Sequence, residues 1–439
     1  MTINSIDIKL KLMPVIKNFK SLSTTPNREI VLKVIEAGFS SIQPQKILKS
    51  AFILNGFELQ IQNERFDLKK FDRVFLIGFG KGSAGISKII ENTLQDFLTT
   101  GYVIDNVFQK FSKINFTLGS HPLPSVENIE FTENVLSKIS NLTDKDLVLV
   151  VICGGGSAMF EAPFKIDLDK LVQISHLLLR SGATITEMNV IRKHLSKVKG
   201  GQLAKHLYPA TVASLIFSDV PGNELSTIAS GPTVLDSTTL NDALEIIKKY
   251  DIKINTDISQ DFFTELPKDE KYFKNVHNNI IISNKTALSA MKNKAKLLGF
   301  ETDLYSDRLQ GDAKLIGKQL IQVAKSGRML LAGGETTVRV LGKGKGGRNQ
   351  TLVLAALPFV DEKTVIASFD SDGVDFYHFA GAIGDESTLK KAEKLKLDRQ
   401  KYLSDDNSYE FFRNSGDGIF TGKLKSNVSD LMVVFKNNV

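Results

Sequence analysis

Two hydrophobic rhythms share this chain. After Thr25-Pro26, apolar residues recur at Ile30, Val31, Val34 and Ile35, the spacing of one helix face, with Pro26 in the first turn where its missing N–H does no harm. A second helix is expected from Gln43 to Leu54. The rhythm then changes to short, nearly unbroken apolar runs, which predict strands buried on both faces. They are Arg73–Phe79, the short run Tyr102–Asp105, Leu147–Ile152 and Val212–Phe217. Helical patterns lie between them, one of them following the loop Gly80–Gly85 and running to about Phe97. Alternation of this kind predicts a Rossmann-like, largely parallel sheet with helices on both faces.

A polar stretch from Asp251 to Asn279 reads as a connector. After it the alternation restarts: a strand at Ile280–Ser283, a helix to Leu298, a strand over Gly299–Tyr305, a helix to Lys325, and a strand from Arg328 that runs into Gly333-Gly334-Glu335. The expected organisation is two α/β domains, residues 1–265 and a smaller one over 266–439. A length of 439 residues fits two hydrophobic cores better than one.

Composition narrows the picture. One cysteine can form neither an internal disulfide nor a cysteine zinc site, which suits a reducing compartment. No apolar run approaches about 18 residues, so no membrane-spanning helix is expected. The N-terminal segment MTINSIDIKLKLMPVIK lacks the apolar core of a signal peptide, so a cytoplasmic location is expected. The net charge of +7 is mild for this length, the lysines are scattered and Trp is absent, which argues against a nucleic-acid partner. Of 56 basic residues only 11 are arginine, so an arginine inside a glycine-rich loop stands out.

Such loops sit where strands are expected to end, the edge where parallel sheets bind ligands. Gly80-Lys81-Gly82-Ser83-Ala84-Gly85 matches G-x-G-x-x-G, and Asp105 follows 20 residues after its last glycine. That is the dinucleotide fingerprint, except that Lys81 puts a point charge where phosphate oxygens would meet free N–H groups. Gly154-Gly155-Gly156-Ser157 follows a buried strand and would cradle an anion. Cys153, just before it, is expected only to pack. Asp219, in Ser218-Asp-Val-Pro-Gly-Asn, is placed to accept a hydroxyl proton or hold a metal ion. Gly342-Lys-Gly-Lys-Gly-Gly-Arg348 reads as a flexible cationic lid whose arginine can grip a carboxylate or phosphate. Asp372 and Asp375, spaced around Gly373, are candidate ligands for a hard cation, and Asp385 and Glu386 could share their acidic surface. Arg192–Gly201 reads as a basic helix ending at a Gly-Gly stop. His121 reads as a turn histidine, and the six histidines show no zinc spacing.

As an ordered set these segments resemble the class II, MOFRL-type glycerate 2-kinases. The carrying segments are Gly78-Phe-Gly-Lys-Gly-Ser-Ala, Ser120-His-Pro-Leu-Pro, Gly154-Gly-Gly-Ser-Ala, Asn189-Val-Ile-Arg-Lys-His-Leu-Ser, Ser218-Asp-Val-Pro-Gly-Asn, Ser230-Gly-Pro-Thr, Gly333-Gly-Glu-Thr-Thr, Gly346-Gly-Arg-Asn-Gln and Ser371-Asp-Gly-Val-Asp. The segment from Thr421 to Asp430 keeps only part of the family's Thr-Gly-Thr-Asn-Val pattern. The resemblance implies two α/β domains facing across a cleft that holds the active site. It implies ATP-dependent phosphorylation of D-glycerate, with Mg2+, to 2-phosphoglycerate. Lys81, Asp219 and Arg348 then fall on the catalytic positions, and Gly80, Gly154, Gly155, Gly156, Ser157, Glu335 and Asn349 on nucleotide-binding ones. Asp219, Asp372 and Asp375 are the metal candidates. The implied partners are the two small substrates alone, with no nucleic acid and no membrane; monomer and homodimer stay open. An NAD(P)-dependent hydroxypyruvate reductase, resting on Gly80–Gly85 and Asp105, is the alternative. A non-catalytic sugar-acid or nucleotide-binding protein is a third reading.

Overall fold

The computed structural model describes residues 14–253 and 260–438. Most of the N-terminal segment weighed for a signal peptide, and part of the expected connector, lie outside these residues. Nine strands occupy the first part of the chain: β1 (Phe52–Asn55), β2 (Glu58–Ile61), β3 (Glu64–Asp67), β4 (Arg73–Phe79), β5 (Thr100–Asp105), β6 (Ile114–Leu118), β7 (Asp146–Ile152), β8 (Thr211–Phe217) and β9 (Val276–Ile282). Six more follow: β10 (Glu301–Asp312), β11 (Arg328–Thr337), β12 (Thr364–Asp370), β13 (Gly381–Gly384), β14 (Gly418–Ile419) and β15 (Asp430–Lys436).

The chain divides into two compact units, and neither is continuous. One comprises Ile42–Lys285 with Lys425–Ser429; the other comprises residues 14–41, Thr286–Leu424 and residues 430–438. These units differ from a single cut at 265/266, for a physical reason. Arg28, on the helix Pro26–Ser41, is completely buried, and its guanidinium binds Asp385 twice at 2.8 Å and Asp417 at 2.6 Å. A buried cation is tolerable only beside such partners, so the N-terminal helix goes with them. Phe39 on the same helix packs on Phe369 with ring centroids 4.7 Å apart. Asp385, its carboxylate on Arg28, is therefore not part of an open acidic surface.

In the first unit six strands form one parallel sheet in the order β6-β5-β4-β7-β8-β9. Numbered within the sheet this is 3-2-1-4-5-6, the doubly wound order of dinucleotide-binding folds. The apolar runs are buried as the pattern requires: every residue of β7 is enclosed. Phe75, Ile77, Val148, Val150 and Ile216 form the core, with Phe79 stacked on Phe160 at 4.4 Å. β9 starts at Val276, so the connector ends earlier than its polarity suggests. Its strand completes this first sheet and does not open the second domain. The polar residues there are used: the Thr233 hydroxyl donates to Asn278 at 2.8 Å, and His277 pairs with Glu64 at 3.0 Å. The second helix stops at Ala51, where β1 begins a three-stranded antiparallel sheet.

The second unit has a mixed sheet, β10-β11-β15-β12-β13-β14, in which only β10 and β11 are parallel. Its core gathers Leu320, Leu352, Ile366, Phe411, Phe412 and Val434. Among the described residues no helix is long and apolar enough to cross a membrane.

Candidate functional site

In the parallel sheet the strand order reverses between β4 and β7, and a crevice is expected at the carboxyl ends of those strands. Phe79 is in register with Ile152, so the first and second glycine loops leave the sheet side by side. They are laced together: Cys153 N–H donates to the Phe79 carbonyl at 3.0 Å, and Lys81 N–H to the Gly154 carbonyl at 2.8 Å. Gly80, at φ +99°, has no room for a side chain, because a Cβ would overlap the Cys153 carbonyl. Gly155 and Gly82 also take left-handed backbone, φ +76° and +88°. Among the described residues the N–H groups of Gly154, Gly155 and Ser157 meet no protein acceptor, so three donors remain for an anion.

Three side chains converge on this loop. A Cβ on Gly155 would stand 2.7 Å from the His121 ring and 3.3 Å from Lys81 Cε. A Cβ on Gly154 would overlap the Asp219 carboxylate, so that glycine is what lets the carboxylate approach the loop. Asp219 arrives from the end of β8, whose Ile216 pairs with Ile152. Lys81 is exposed. His121, read as a turn histidine, belongs to this cluster: burial first, then the Lys81 charge, holds its pKa below the ordinary value, so it is neutral at pH 7. Cys153 is buried, and burial together with the Asp105 and Asp219 charges pushes its thiol up, away from reactivity. Ser157 bonds Ser230 at 3.0 Å, and Ala229 and Ser230 both hold left-handed backbone against the loop, local strain of the kind found at functional sites.

Asp105 has a different task from the one its spacing suggests. It is buried, and one carboxylate oxygen accepts from Gly82 N–H at 3.0 Å and Ala84 N–H at 2.9 Å. The protein's own carboxylate thus takes the N–H donors at the start of helix Ser83–Leu94 that would otherwise meet a pyrophosphate.

The basic segment also departs from expectation. The helix Ile185–His194 takes in only its first three residues, and Gly201 caps the next helix, Gln202–Leu207. Lys193 is buried on Asp236 at 2.5 Å and Lys199 is buried on Glu161, so these are internal ion pairs and not a solvated face.

In the other unit the glycine-lysine loop is pinned and is not a flexible lid. The N–H groups of Leu341 and Gly342 donate to Asp406 at 2.6 and 2.8 Å, Gly344 N–H to the Asp405 carbonyl at 2.8 Å, and Lys345 N–H to Asn407 at 3.0 Å. Side chains at Gly342 and Gly344 would overlap residues 405–407. The glycines thus serve close approach. The loop delivers Arg348 to the start of helix Arg348–Ala356, where its Nε donates to Asp430 at 2.7 Å, Nη1 to Glu335 at 2.7 Å and Nη2 to Asp370 at 3.3 Å. Three of its five N–H donors are thus occupied and two remain. Asn349 is wholly buried, its amide held by Asp375, Asp430 and Ser368. Asp375 is buried too, accepting from the N–H groups of Asn349 and Gln350 at 3.2 and 2.9 Å. Both act inside the protein, as positioning groups under Arg348. Asp370 heads the acidic turn and Asp430 closes the segment from Thr421, but neither is a candidate site residue on sequence alone.

Among the described residues no cluster of three or more His, Cys, Asp or Glu is arranged to hold a metal. Asp219, at a strand end beside three open N–H groups, fits Mg2+ in the manner that ion prefers, one carboxylate with phosphate oxygens and water supplying the rest. Asp375 does not fit, since both of its oxygens are saturated by helix N–H groups. Asp372 retains one oxygen after accepting from Val374 N–H at 2.9 Å.

A doubly wound unit with a glycine loop and open N–H groups at its switch point, joined to a mixed α/β unit, defines the class. Comparison with known proteins is specific. A domain of unknown function, DUF4147, matches residues 30–262, and the MOFRL family matches residues 328–430. The glycerate 2-kinase of Pyrococcus horikoshii is 35% identical over 427 residues, 92% of this chain and 96% of its own length. A crystal structure of glycerate kinase from Thermotoga maritima superposes with a TM-score of 0.83 at 30% identity, covering 93% of this chain and 99% of that one. A putative hydroxypyruvate reductase of Agrobacterium vitis is 33% identical, covering 82% of this chain and 87% of its own. The chain belongs to the glycerate 2-kinase family of MOFRL-type kinases.

The Gly154–Asp219 contact has a direct test. Gly154→Ala should leave the fold intact, at a cost of about 1–3 kcal/mol for overpacking. It should lower turnover by as much as about 100-fold, because the displaced group is a site carboxylate. Thermal unfolding beside steady-state kinetics checks this; unchanged turnover removes Asp219 from the site.

Proposed function

We propose that the protein transfers the terminal phosphoryl group of ATP to the 2-hydroxyl of D-glycerate, giving 2-phosphoglycerate and ADP, in the cytoplasm. The observation that carries this reading is the meeting of Lys81 and Asp219 over Gly154 and Gly155 at the switch point of the sheet. Phosphoryl transfer needs positioning and charge neutralisation above all. The N–H groups of Gly154, Gly155 and Ser157 hold phosphate oxygens. The Lys81 ammonium neutralises charge on the transferring group. Asp219 orients the attacking hydroxyl and takes its proton as the new P–O bond forms and the bond to ADP breaks. Asp219 would hold Mg2+ together with the ATP phosphates, and the ion would supply further charge neutralisation there. Arg348 grips an anionic substrate oxygen with the two N–H groups its acidic partners leave.

The reductase reading has a relative's name in its favour, but Asp105 already fills the helix terminus that a dinucleotide needs. One assay separates the readings. D-glycerate with ATP and Mg2+ should release ADP, with the product's phosphate on C2 by NMR, and hydroxypyruvate with NAD(P)H should show no absorbance change. Oxidation of NAD(P)H without ADP release overturns the proposal, and a phosphate on C3 overturns its regiochemistry.

A further inference from the structure

The segment Lys425–Ser429 lies between β14 and β15 in sequence, yet it packs with the parallel-sheet unit. There it lines the same recess as Lys81, Gly154 and Asp219. The Ser429 hydroxyl bonds the main-chain carbonyl of Asp219, and the Lys425 carbonyl comes within 3.6 Å of where a Gly82 side chain would start. The segment is therefore bonded to the Asp219 loop and lies beside the loop of Lys81.

Two of its side chains have no task in holding the fold. Lys425 is exposed and makes no ion pair among the described residues. Ser426 is 7% exposed, and its hydroxyl has no hydrogen-bond partner among the described residues. A buried, unsatisfied hydroxyl on a residue that lines a recess is costly unless something else satisfies it. The recess already has one ammonium and one carboxylate, from Lys81 and Asp219. Adding Lys425 leaves a formal excess of one positive charge among the lining residues, with two ammonium groups, one hydroxyl and the open Gly154 N–H as donors. A planar carboxylate is satisfied by one two-pronged donor, whereas a tetrahedral phosphoryl group offers oxygens in several directions.

We propose that Lys425 and Ser426 line a phosphoryl-binding subsite and contact the phosphate of the nucleotide or of the phosphorylated product, not the glycerate carboxylate. This deepens the kinase reading and rests on it for the identity of the ligands. Lys425 supplies a point charge and Ser426 a hydroxyl donor.

Calorimetric titration of the full chain with ATP, 2-phosphoglycerate and D-glycerate tests this without turnover. Lys425→Ala and Ser426→Ala should each weaken one or both phosphate-bearing ligands, Lys425→Ala by roughly 10- to 100-fold, as for a charge-assisted hydrogen bond. D-glycerate binding should stay within twofold of wild type, and Lys425→Arg should recover part of the loss. Whether ATP or 2-phosphoglycerate suffers more identifies the source of the phosphate. Unchanged affinities for both phosphate ligands in Lys425→Ala, or a loss confined to D-glycerate, overturns the inference. Lys425 is exposed, so that variant folds even if Ser426→Ala does not. A wild-type protein that binds phosphate ligands through Lys425 yet shows no glycerate turnover overturns the kinase reading and leaves the subsite standing.

Discussion

Lys81→Ala should lower kcat by about 100- to 1000-fold, the scale seen when one preorganised charge or donor aimed at the transition state is removed. The fold should not change. The Lys81 side chain is exposed, and the bond that laces the two glycine loops runs through its main-chain N–H, which alanine keeps. A second readout distinguishes a charge at the site from a merely structural lysine. The Lys81 charge helps hold the His121 pKa down, so in the alanine variant the imidazole should titrate closer to its ordinary value. NMR titration of the ring reads this directly. Lys81→Arg should restore the His121 shift more completely than the turnover, because a planar fork does not reproduce a compact ammonium. Near-normal turnover in Lys81→Ala would remove the lysine from the mechanism whatever the histidine does.

The parallel sheet was legible because its strands are buried on both faces and leave unbroken apolar runs, as in Leu147–Ile152. The switch-point loops were legible because glycine, lysine and aspartate gather at strand ends. The small antiparallel sheet was missed although Asn55-Gly56 is a hairpin signal, with Gly56 at φ +59°. β15 was missed because its run, Leu431–Phe435, stands alone at the chain's end with no alternating partner beside it. What no local pattern reveals is long-range pairing. Arg28 finds Asp385 and Asp417 across some 350 residues and more, which is why the compact units interleave along the chain. The same holds for internal use of a polar residue. Spacing marks Asp105 and Asp375, and the family resemblance Asn349, as ligand-binding, but only the fold places their hydrogen bonds on the protein's own N–H groups and side chains. Local pattern shows which loops leave the sheet at strand ends, but an outward carboxylate and one that caps a helix look alike in it.

Arg348→Ala should be the most destabilising of these changes, and its effect should depend on pH in a diagnostic direction. Asp370 and Asp430 stand directly opposite each other on β12 and β15, both buried, with Arg348 as the cation between them and Glu335. Burial pushes both acids up, Asp430 to about 7, and the Arg348 charge opposes that rise. Removing the guanidinium leaves two buried carboxylates facing each other, a loss of about 3–5 kcal/mol for breaking a buried pair. Both folded pKa values lie above the unfolded one, so the native state binds more protons than the unfolded chain between pH 4 and 7. Stability therefore falls as pH rises through that window. Without Arg348 both values rise further, and the deficit extends to higher pH. The variant should be far less stable than wild type at pH 8 and recover much of the difference by pH 5, where the acids are protonated. His121, His194 and His206, all held below their ordinary values, favour the opposite trend, but they are present in both proteins and drop out of the difference. Denaturant unfolding of both proteins at pH 5 and 8 measures the effect. A deficit that is equal at the two pH values, or larger at pH 5, would mean that Arg348 does not hold this pair of carboxylates. Lys at this position keeps the charge but loses the three-way fork, so Arg348→Lys should recover stability more fully than turnover. That split is what separates an arginine that only neutralises its acidic neighbours from one that also offers its two remaining N–H groups to a substrate.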